Sequence, residues 1–541
     1  MSDVRPAVEA SAGQPEPQAR AGGLGLENPS SRIGLASAVK VPRGARENPG
    51  GAGQSAASAL PGLREVLLAL FFLGSLTPVV DYDVWLHLAS GREMWSKAHV
   101  LSVDVFSHTV PGVAWVYHEW LAAVVSYGMW LLGGVNALVV FKAVMMTASL
   151  GVLLATFAVR GHGRGAPALV GLMAAAVSAN NVALERPHLF TILFLNLFVY
   201  WLNRQRYRGM PLPWGMSVIA ALWANLHGGF VLGLLAFGPF LVEDLWHLVR
   251  RRGAGDGQDE ALAVSRLRER VLRTALVLAA CVLATLANPY GVETLLYPLQ
   301  YASPSPFMRQ IEEWASPNFQ RQIVLEAVLL VLVAVGLFSK EPIGLADGIF
   351  AMASAHLILT GVRNSFLVGS FLGPALVTHV AACLDQPAWG ASLRRKLERF
   401  DSGTFGPLLA LAVLLGGTVA LTGTPRVAPG RFPEGAVRFL ERQRPPGRLF
   451  NDYDFGGYLM FHLPAYPVFV DGRVDVYSKH SAFADFLSVW RLSPDWERVL
   501  ERRGVRIALL EQRQSLAALL GASPNWQEVY RDEVAVIFLR R

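Results

Sequence analysis

The chain has 541 residues, of which 52% are hydrophobic and 16% are charged, and its mean hydropathy is +0.36. This composition excludes a water-soluble globular protein and predicts a polytopic membrane protein. The formal net charge is +7, but the arginines lie beside apolar segments, where they report membrane orientation, and no aromatic and basic platform for nucleic acid accompanies them. The cysteines, Cys281 and Cys383, fall inside apolar segments and predict no disulfide.

The chain begins with a polar segment and continues with a series of apolar ones. Residues 1–62 are rich in Ala, Gly, Pro, Ser and Arg, so they cannot bury enough surface to fold and are predicted to form a disordered cytoplasmic tail. Hydropathy then predicts about eleven transmembrane helices within 63–422. We place the spans at 64–80, 136–159, 167–183, 188–203, 212–226, 229–249, 271–287, 323–339, 343–361, 365–384 and 406–422.

Basic residues are concentrated in alternate loops between these spans. Because cytoplasmic loops are enriched in Lys and Arg, this bias places the N-terminus in the cytoplasm, and an odd number of crossings places the C-terminus outside. The loops predicted to be cytoplasmic hold Arg160 and Arg164, Arg204, Arg206 and Arg208, the run from Arg250 to Arg273, Lys340, and Arg394, Arg395, Lys396 and Arg399.

Two regions are predicted to lie outside the membrane. The segment 120–132 is apolar but short, so we interpret it as an interfacial helix within a long first external loop, 81–135. Residues 423–541 are more polar. Strand-like patterns at 466–470 and 534–539 and a helix-like pattern at 494–503 predict a small α/β extracytoplasmic domain there.

Ionisable residues gather at the predicted external ends of the spans. Asp81 and Asp83 follow the first span, and such a pair supplies hard oxygen ligands for a divalent metal or a base that activates a hydroxyl. Polar groups on one membrane face predict a site built from many helices. The other candidates are His87, His118, Glu119, Arg186, His188, Asn225, His227, Glu312 and Glu313.

Each candidate also has a structural explanation. Acidic residues such as Asp81 and Asp83 keep the end of a span in water, and Arg186 has Glu185 beside it as an ion-pair partner. His227 stands before two glycines that by themselves explain a tight hairpin. The remaining alternatives are a helix cap at His118 and Glu119, and solvation of a long loop by Glu312 and Glu313.

Several motifs are missing from the sequence. It contains no phosphate-binding glycine loop followed by Lys-Ser or Lys-Thr, no HExxH, no CxxC and no nucleophile elbow. ATP-driven transport and membrane metalloprotease chemistry are therefore disfavoured.

The order of parts resembles the GT-C class of integral-membrane glycosyltransferases, and more closely bacterial membrane proteins with an RgtA/B/C/D-like glycosyltransferase region. The resemblance covers nearly everything after residue 63. Its segments are DVWLHL at 83–88, DVFS at 104–107, WVYHEWL at 115–121, RPHLF at 186–190, WANLHGGF at 223–230, NPYG at 288–291, EWASP at 313–317, FNDYDFGGY at 450–458 and VDGR at 470–473.

The resemblance implies a bacterial cytoplasmic (inner) membrane protein that moves a sugar from a polyprenyl-phosphate donor to a glycan, lipid or protein acceptor. Under this interpretation Asp83 is the base or, with Asp81, holds a divalent metal such as Mg²⁺ or Mn²⁺. Arg186, helped by His188 or His227, neutralises the departing phosphate. The remaining substrate-binding candidates are His87, His118, Glu119, Asn225 and Glu313.

Two other functions stay open at this point. A transporter or lipid flippase predicts ionisable groups at the bilayer midplane and an internal repeat, neither of which is obvious in the sequence. A non-catalytic scaffold predicts that Asp81 or Asp83, Arg186 and His227 are scattered. In the C-terminal region Asp452, Asp454, Asp471, Arg473 and Asp475 suit a surface that binds the acceptor or covers the active site. The favoured alternative is that they form turns and cap strands of a small α/β fold.

Overall fold

The computed structural model describes residues 63–160, 165–181, 183–251, 258–300, 312–385, 390, 392, 427–477 and 480–541. The predicted tail at 1–62, the predicted span at 406–422 and the basic run at 394–399 lie outside the described residues. The described residues belong to one compact unit.

The described part of the chain before residue 386 is built from helices, most of which follow the predicted apolar segments, whereas Asp83–Lys97 lies in the predicted first external loop. In chain order they are α1 (Leu63–Gly74), α2 (Asp83–Lys97), α3 (Trp120–Val159), α4 (Gly165–Asn181), α5 (His188–Arg208), α6 (Gly215–Leu226), α7 (Phe230–Leu235), α8 (Phe237–Arg251), α9 (Gln258–Ala284), α10 (Val292–Gln300), α11 (Ile323–Phe338), α12 (Leu345–Thr360) and α13 (Gly373–Asp385). Short 3-10 turns at Glu312–Trp314 and Val362–Phe366 and a π-helical turn at Val368–Leu372 complete this part.

Within the described part of the chain, length and composition allow membrane crossing by the helical stretches Trp120–Val159, Phe230–Arg251 and Val362–Leu384. Shorter apolar helices are Pro167–Ser178, Gly215–Leu226, Ile323–Phe338 and Leu345–Thr360. The predicted total of eleven crossings therefore stays a prediction.

Helix α3 changes direction at a pair of glycines. Gly133 has φ −171° and ψ 25°, and Gly134 has φ 60° and ψ −143°. A positive φ costs glycine little, so the helix can bend at Gly134 without steric strain. The bend separates the arm at 120–132, which the sequence predicts as an interfacial helix, from the long apolar part of the helix.

The first loop contains a buried helix. Helix α2 packs against α3 and against a short helix of the C-terminal region, α15 (Gly456–His462). The Trp85 ring centroid lies 5.1 Å from that of Tyr458 and 5.5 Å from that of Phe432. Aromatic pairs in this arrangement contribute more than their buried area alone. The predicted external loop is thus an ordered layer between the membrane helices and the C-terminal region.

The C-terminal region forms a four-stranded sheet with helices. Its elements are α14 (Glu434–Gln443), β1 (Arg448–Asn451), α15 (Gly456–His462), α16 (Val474–Tyr477), α17 (Ser481–Trp490), α18 (Trp496–Arg502), β2 (Val505–Glu511), α19 (Ser515–Ala522), β3 (Trp526–Arg531) and β4 (Ala535–Arg540). The strand order is β1-β2-β4-β3, with β1 and β2 parallel and the other pairs antiparallel. Strand β4 confirms the strand pattern at 534–539, and α18 confirms the helix pattern at 494–503.

The strand prediction for 466–470 is wrong. This segment joins no strand of the sheet and makes an isolated bridge between Val468 and Ser107. The backbone N–H of Val468 donates to the carbonyl of Phe106, and the N–H of His108 donates to the carbonyl of Val468. The consecutive residues Val468, Phe469 and Val470 are buried in a segment that lies against the first loop, and a pattern of hydrophobicity does not distinguish this from burial in a sheet.

A buried ion network joins the first loop to the C-terminal region. Arg473 binds Asp471 through two hydrogen bonds of 2.8 and 2.7 Å, and its Nη1 lies 2.6 Å from Oδ1 of Asp104. The Tyr477 hydroxyl donates to Asp471 over 2.6 Å. The side chains of Asp104 and Asp471 are fully buried and that of Arg473 is 2% exposed. The charges are therefore retained inside the protein only because each is paired.

A second ion network lies at the ends of the helices that are predicted to face the cytoplasm. Arg160 donates two hydrogen bonds of 2.8 Å to Asp347. Arg206 and Arg270 both donate to Asp244, Arg206 over 2.8 Å. Arg160, Arg206 and Arg270, which indicate membrane orientation in the sequence, thus also hold α3, α5, α8, α9 and α12 together.

Replacing Arg473 with methionine would leave two buried carboxylates without their cation. We expect Arg473→Met to lower the free energy of unfolding by about 3–5 kcal/mol, the usual cost of removing one partner of a buried ion pair. Unfolding of the purified protein in detergent measures this. Arg531→Met is the matched control, since its pair with Glu528 is exposed and is worth about 0–1 kcal/mol. Equal losses in the two variants would contradict the prediction.

Candidate functional site

Three carboxylates surround one arginine where the first span leads into α2. Arg186, between α4 and α5, donates from Nε to Oδ2 of Asp81 over 2.8 Å and from Nη2 to Oδ1 over 2.5 Å. Its Nη1 lies 2.8 Å from Oε1 of Glu313 and 3.3 Å from Oδ2 of Asp83. Four of the candidates, which the sequence places in three separate loops, therefore meet at one point.

The three carboxylates differ in exposure. The Asp81 side chain is 2% exposed, whereas those of Asp83 and Glu313 are 36% and 39% exposed. Both Asp81 oxygens accept hydrogen bonds from the same guanidinium, which is the strongest geometry available to this pair. Asp81 therefore anchors Arg186, and Asp83 and Glu313 form the accessible edge of the cluster.

The pKa values of the two aspartates move in opposite directions. Burial raises the pKa of Asp81, but the charge and hydrogen bonds of Arg186 more than offset this effect and leave that pKa below its ordinary value. Burial raises the pKa of Asp83 to about 7; Arg186 opposes the increase, while Asp81, Glu313 and Asp454 add to it. Asp83 is thus a carboxyl group that changes its charge near neutral pH, as a general base requires.

The C-terminal region closes over Asp83. A Cβ atom on Gly472 would lie 2.7 Å from Oδ1 of Asp83, and one on Gly457 would lie 2.9 Å from the carbonyl oxygen of Tyr82. A Cβ atom at either position would therefore require its neighbour to move, and at Gly457 that neighbour is the backbone of Tyr82. Gly457 and Gly472 were not predicted as part of the site; the available signal was their position near Asp454 and Asp471 in two of the family segments.

A second cluster is centred on Glu119. Its carboxylate oxygens lie 3.4 Å from Nε2 of His227, 3.6 Å from Nε2 of His118 and 3.9 Å from Nε2 of His87. Burial raises the pKa of Glu119, but His118, followed by His227 and His87, lowers it well below its usual range. Glu119 is therefore held as a carboxylate.

His227 is fixed in one tautomer. Its Nδ1 accepts a hydrogen bond of 3.0 Å from the backbone N–H of Gly229, so the proton of the neutral ring is on Nε2, which faces Glu119. Nδ1 also lies 2.7 Å from the Thr191 hydroxyl, which accepts a hydrogen bond from Trp223. Burial lowers the pKa of His227 to about 3, and the charge of His188 at the start of α5 adds to this effect. His227 is therefore neutral at pH 7.

The other predicted residues connect the two clusters to their surroundings. Burial lowers the pKa of His87, and the negative charges of Glu119 and Asp81, one from each cluster, oppose this effect. Its Nδ1 lies 2.9 Å from the Tyr117 hydroxyl. The Asn225 amide accepts a hydrogen bond from Trp120 and donates to the carbonyls of Ala221 and Ala287. Asn225 thus joins the start of α3 to the hairpin that carries His227. The side chain of Glu312 lies outside the described part of the structure.

The residues of the DxD pair, Asp81 and Asp83, do not present an open ligand set for a divalent metal. Both oxygens of Asp81 are bound by Arg186, and the same cation faces Asp83 and Glu313. In the described part of the chain no group of three or more His, Cys, Asp or Glu side chains is arranged to hold a metal ion. The tautomer of His227 also leaves Nε2 protonated and unsuited to ligation. We therefore assign no step to Mg²⁺ or Mn²⁺.

The predicted alternative pairing of Arg186 with Glu185 is wrong. Oε1 of Glu185 lies 2.6 Å from the ammonium of Lys142, a residue of α3 that was not predicted as part of the site. A lysine inside an apolar span was the available signal, because ionisable residues at membrane depth are costly and seldom lack a role.

Comparison with solved structures identifies the fold. The structure is similar to that of the archaeal oligosaccharyltransferase AglB from Archaeoglobus fulgidus, solved with an inhibitory peptide and a dolichol-phosphate, with 13% sequence identity, a TM-score of 0.54 and coverage of 83% of this chain and 69% of that chain. It is also similar to ArnT from Cupriavidus metallidurans in the apo state, with 15% identity, a TM-score of 0.51 and coverage of 88% and 97%. The chain has the GT-C fold.

The GT-C fold confirms the resemblance to the GT-C class and makes the chain an α-helical membrane protein, whereas the closer resemblance to proteins with an RgtA/B/C/D-like region stays a prediction. No protein-family model matches the chain, and no curated protein matches it. Because one fold can support different reactions, the activity has to be argued from the residues of the site.

A methyl group at Gly472 would press against Asp83. We expect Gly472→Ala to lower the free energy of unfolding by about 1–3 kcal/mol, as overpacking does. The control is Gly521→Ala, because a Cβ there lies at an ordinary 3.8 Å from the Phe538 ring and alanine is favoured over glycine in helix α19. Unfolding in detergent compares the two variants, and an unaffected Gly472→Ala would show that the contact with Asp83 is not tight.

Proposed function

We propose that this chain is a glycosyltransferase that transfers a sugar from a polyprenyl-phosphate donor to an acceptor hydroxyl on the outer side of the bacterial cytoplasmic membrane. The observation that carries the proposal is the position of Asp83, whose carboxyl group is 36% exposed and lies 3.3 Å from Nη1 of Arg186; its raised pKa agrees with a role as base. The GT-C fold supports it, since AglB was solved with a dolichol-phosphate. The acceptor is a glycan, lipid or protein.

Asp83 is the proposed general base. It takes the proton of the acceptor hydroxyl as the acceptor oxygen forms a bond to the anomeric carbon and the bond from that carbon to the phosphate oxygen breaks. The polyprenyl phosphate leaves with the bonding electrons. A base with a pKa near the working pH combines a sufficient ionised fraction with a useful affinity for the proton.

Arg186 is the proposed partner of the departing phosphate. Its Nε and Nη2 are held by Asp81, so Nη1 is the edge that faces the accessible carboxylates. A phosphate that replaces Glu313 at Nη1 would bind a guanidinium that is already oriented. Since His227 is neutral at pH 7, the positive charge in this proposal is that of Arg186, and His227 contributes a hydrogen bond donor at most.

An apolar cavity supports a lipid-linked donor. It has a volume of about 220 Å³ and lies between α1, α3 and α4. Helix α1 leads directly to Asp81, and the cavity includes Leu67, Leu70 and Gly74 of this helix. Apolar walls favour the burial of an isoprenoid chain. In this proposal the C-terminal region, 423–541, is extracytoplasmic and covers the site, and the N-terminus is cytoplasmic.

Removal of the base should abolish transfer. We expect Asp83→Asn to reduce turnover at least about 100-fold, the lower range for loss of general base catalysis, without reducing the amount of protein in membranes. The measurement is mass spectrometry of envelope glycans and glycolipids from a deletion strain that expresses Asp83→Asn or the control variant. Glu528→Gln, an exposed site in β3, is the control. Retained transfer by Asp83→Asn would remove Asp83 from this role.

The transfer rate should depend on pH through Asp83. The base acts when ionised, so the initial rate should rise as the pH increases through about 7, the pKa of the Asp83 carboxyl. Asp81 gives no transition there, because Arg186 holds its pKa below the ordinary value. Membrane vesicles supplied with synthetic polyprenyl-phosphate sugars provide the assay. A rate that is constant between about pH 6 and pH 8 would contradict general base catalysis by this group.

A further inference from the structure

Lys142 is a buried cation in the apolar part of helix α3. Its side chain is 1% exposed, and it lies within the segment predicted to cross the membrane. A charged group at this depth is costly unless it is paired. The proposed mechanism makes no use of Lys142, so its retention needs another explanation.

The Lys142 ammonium contacts three oxygen atoms. Nζ forms an ion pair with Oε1 of Glu185 at 2.6 Å, and it donates hydrogen bonds to the hydroxyl of Thr77 over 2.8 Å and to the Thr77 carbonyl over 3.1 Å. The contacts lead to two different segments of the chain.

These two segments carry the central pair of the candidate site. Thr77 lies in the connection from α1 to α2, which contains Asp81, and Glu185 directly precedes Arg186. Lys142 therefore binds Thr77 in the segment that carries Asp81 and Glu185 in the segment that carries Arg186. A rotation of either segment would break the paired hydrogen bonds, because their geometry is planar and directional.

Glu185 also has to be kept from competing for Arg186. Burial raises the pKa of Glu185, Lys142 opposes this, and the negative charge of Asp81 adds to the increase. Without Lys142, Glu185 would either be protonated or, as a carboxylate, pair with Arg186, the neighbouring cation. Arg186 already binds or faces three carboxylates.

We propose that Lys142 is a positioning residue of the candidate site, which holds Thr77 and Glu185 in place and thereby keeps Arg186 on Asp81. Its effect on turnover rests on the proposed function, whereas its effect on the Asp81–Arg186 pair does not. The competing explanation is a local one, in which Lys142 only fastens α3 to its neighbours.

A double-mutant cycle separates these explanations without any substrate. The unfolding midpoint of the purified protein is measured for the wild type, Lys142→Met, Asp81→Asn and the double variant. If Lys142 supports the pair, Lys142→Met should lower the midpoint about twice as much in the wild type as in the Asp81→Asn background, because the interaction it supports is already weakened there. Additive effects would overturn the proposal.

Glu185→Gln supplies a rescue. The variant Lys142→Met with Glu185→Gln removes both buried charges, so no carboxylate is left to draw Arg186 away. We expect this neutral variant to recover most of the midpoint lost in Lys142→Met and to lose the coupling to Asp81→Asn. If Lys142→Met does not fold, folding of the neutral variant supports the proposal, and failure of the neutral variant to recover overturns it.

Arg160→Met is the matched control. It removes a buried cation directly after the same helix, whose partner, Asp347, belongs to the network at the opposite end. Its effect on the midpoint should be additive with Asp81→Asn, since distant sites without shared partners are independent. Coupling as large as that of Lys142→Met would mean general loosening of the helices and would overturn the proposal.

The same variants test the catalytic consequence. In vesicles supplied with polyprenyl-phosphate sugars, Lys142→Met should lower turnover about 100-fold through misplacement of Arg186, with a smaller change in KM, and the neutral variant should recover turnover. Undiminished turnover in a folded Lys142→Met variant would overturn the positioning role. A wild-type protein that transfers no sugar would count against the proposed function alone, because the unfolding cycle decides the role of Lys142.

Discussion

The paired hydrogen bonds between Asp81 and Arg186 are the interaction on which the candidate site depends. They join the end of the first span to the connection between α4 and α5, which lie far apart in the sequence. Because Asp81 binds the Nε and Nη2 edge of the guanidinium through both of its oxygens, the pair orients Nη1 toward Asp83 and Glu313. The cluster contains more carboxylates than cations, so burial and repulsion raise the pKa of Asp83 while Asp81 stays ionised. One ion pair thus divides two aspartates of the same motif into an anchor and a titrating group.

The site is enclosed from two directions by different kinds of contact. From the membrane side, Lys142 binds the segments that carry Asp81 and Arg186. From the C-terminal side, Gly472 touches Asp83, and the backbone near Gly457 touches the start of α2. The ion network of Asp104, Asp471 and Arg473 fixes this second side against the first loop. The C-terminal region is therefore part of the site, and its acidic residues serve partly to hold that position and partly, through Asp454, to tune Asp83.

The fold and several members of the site were predictable from the sequence. Apolar segments predicted a helical membrane protein, and the family segments predicted the GT-C fold, which comparison with AglB and ArnT confirms. The candidates Asp81, Asp83, Arg186 and Glu313 were recognisable because charge at the end of an apolar helix is costly. The strand pattern at 466–470 was misleading, since its apolar residues are buried against the first loop and not in the sheet. Lys142 was overlooked because its partners belong to two other segments of the chain.

The sequence by itself determined which segments are apolar enough to enter a membrane, where the chain carries costly charges, and which family pattern those charges follow. Each of these properties is local, so composition and spacing are sufficient to read them. Only the tertiary structure decided which charge meets which: Arg186 binds Asp81 and not its neighbour Glu185, His227 faces Glu119, and Gly472 approaches Asp83. Ion pairing and burial depend on distances between segments remote in the chain, and those distances set the pKa of each group.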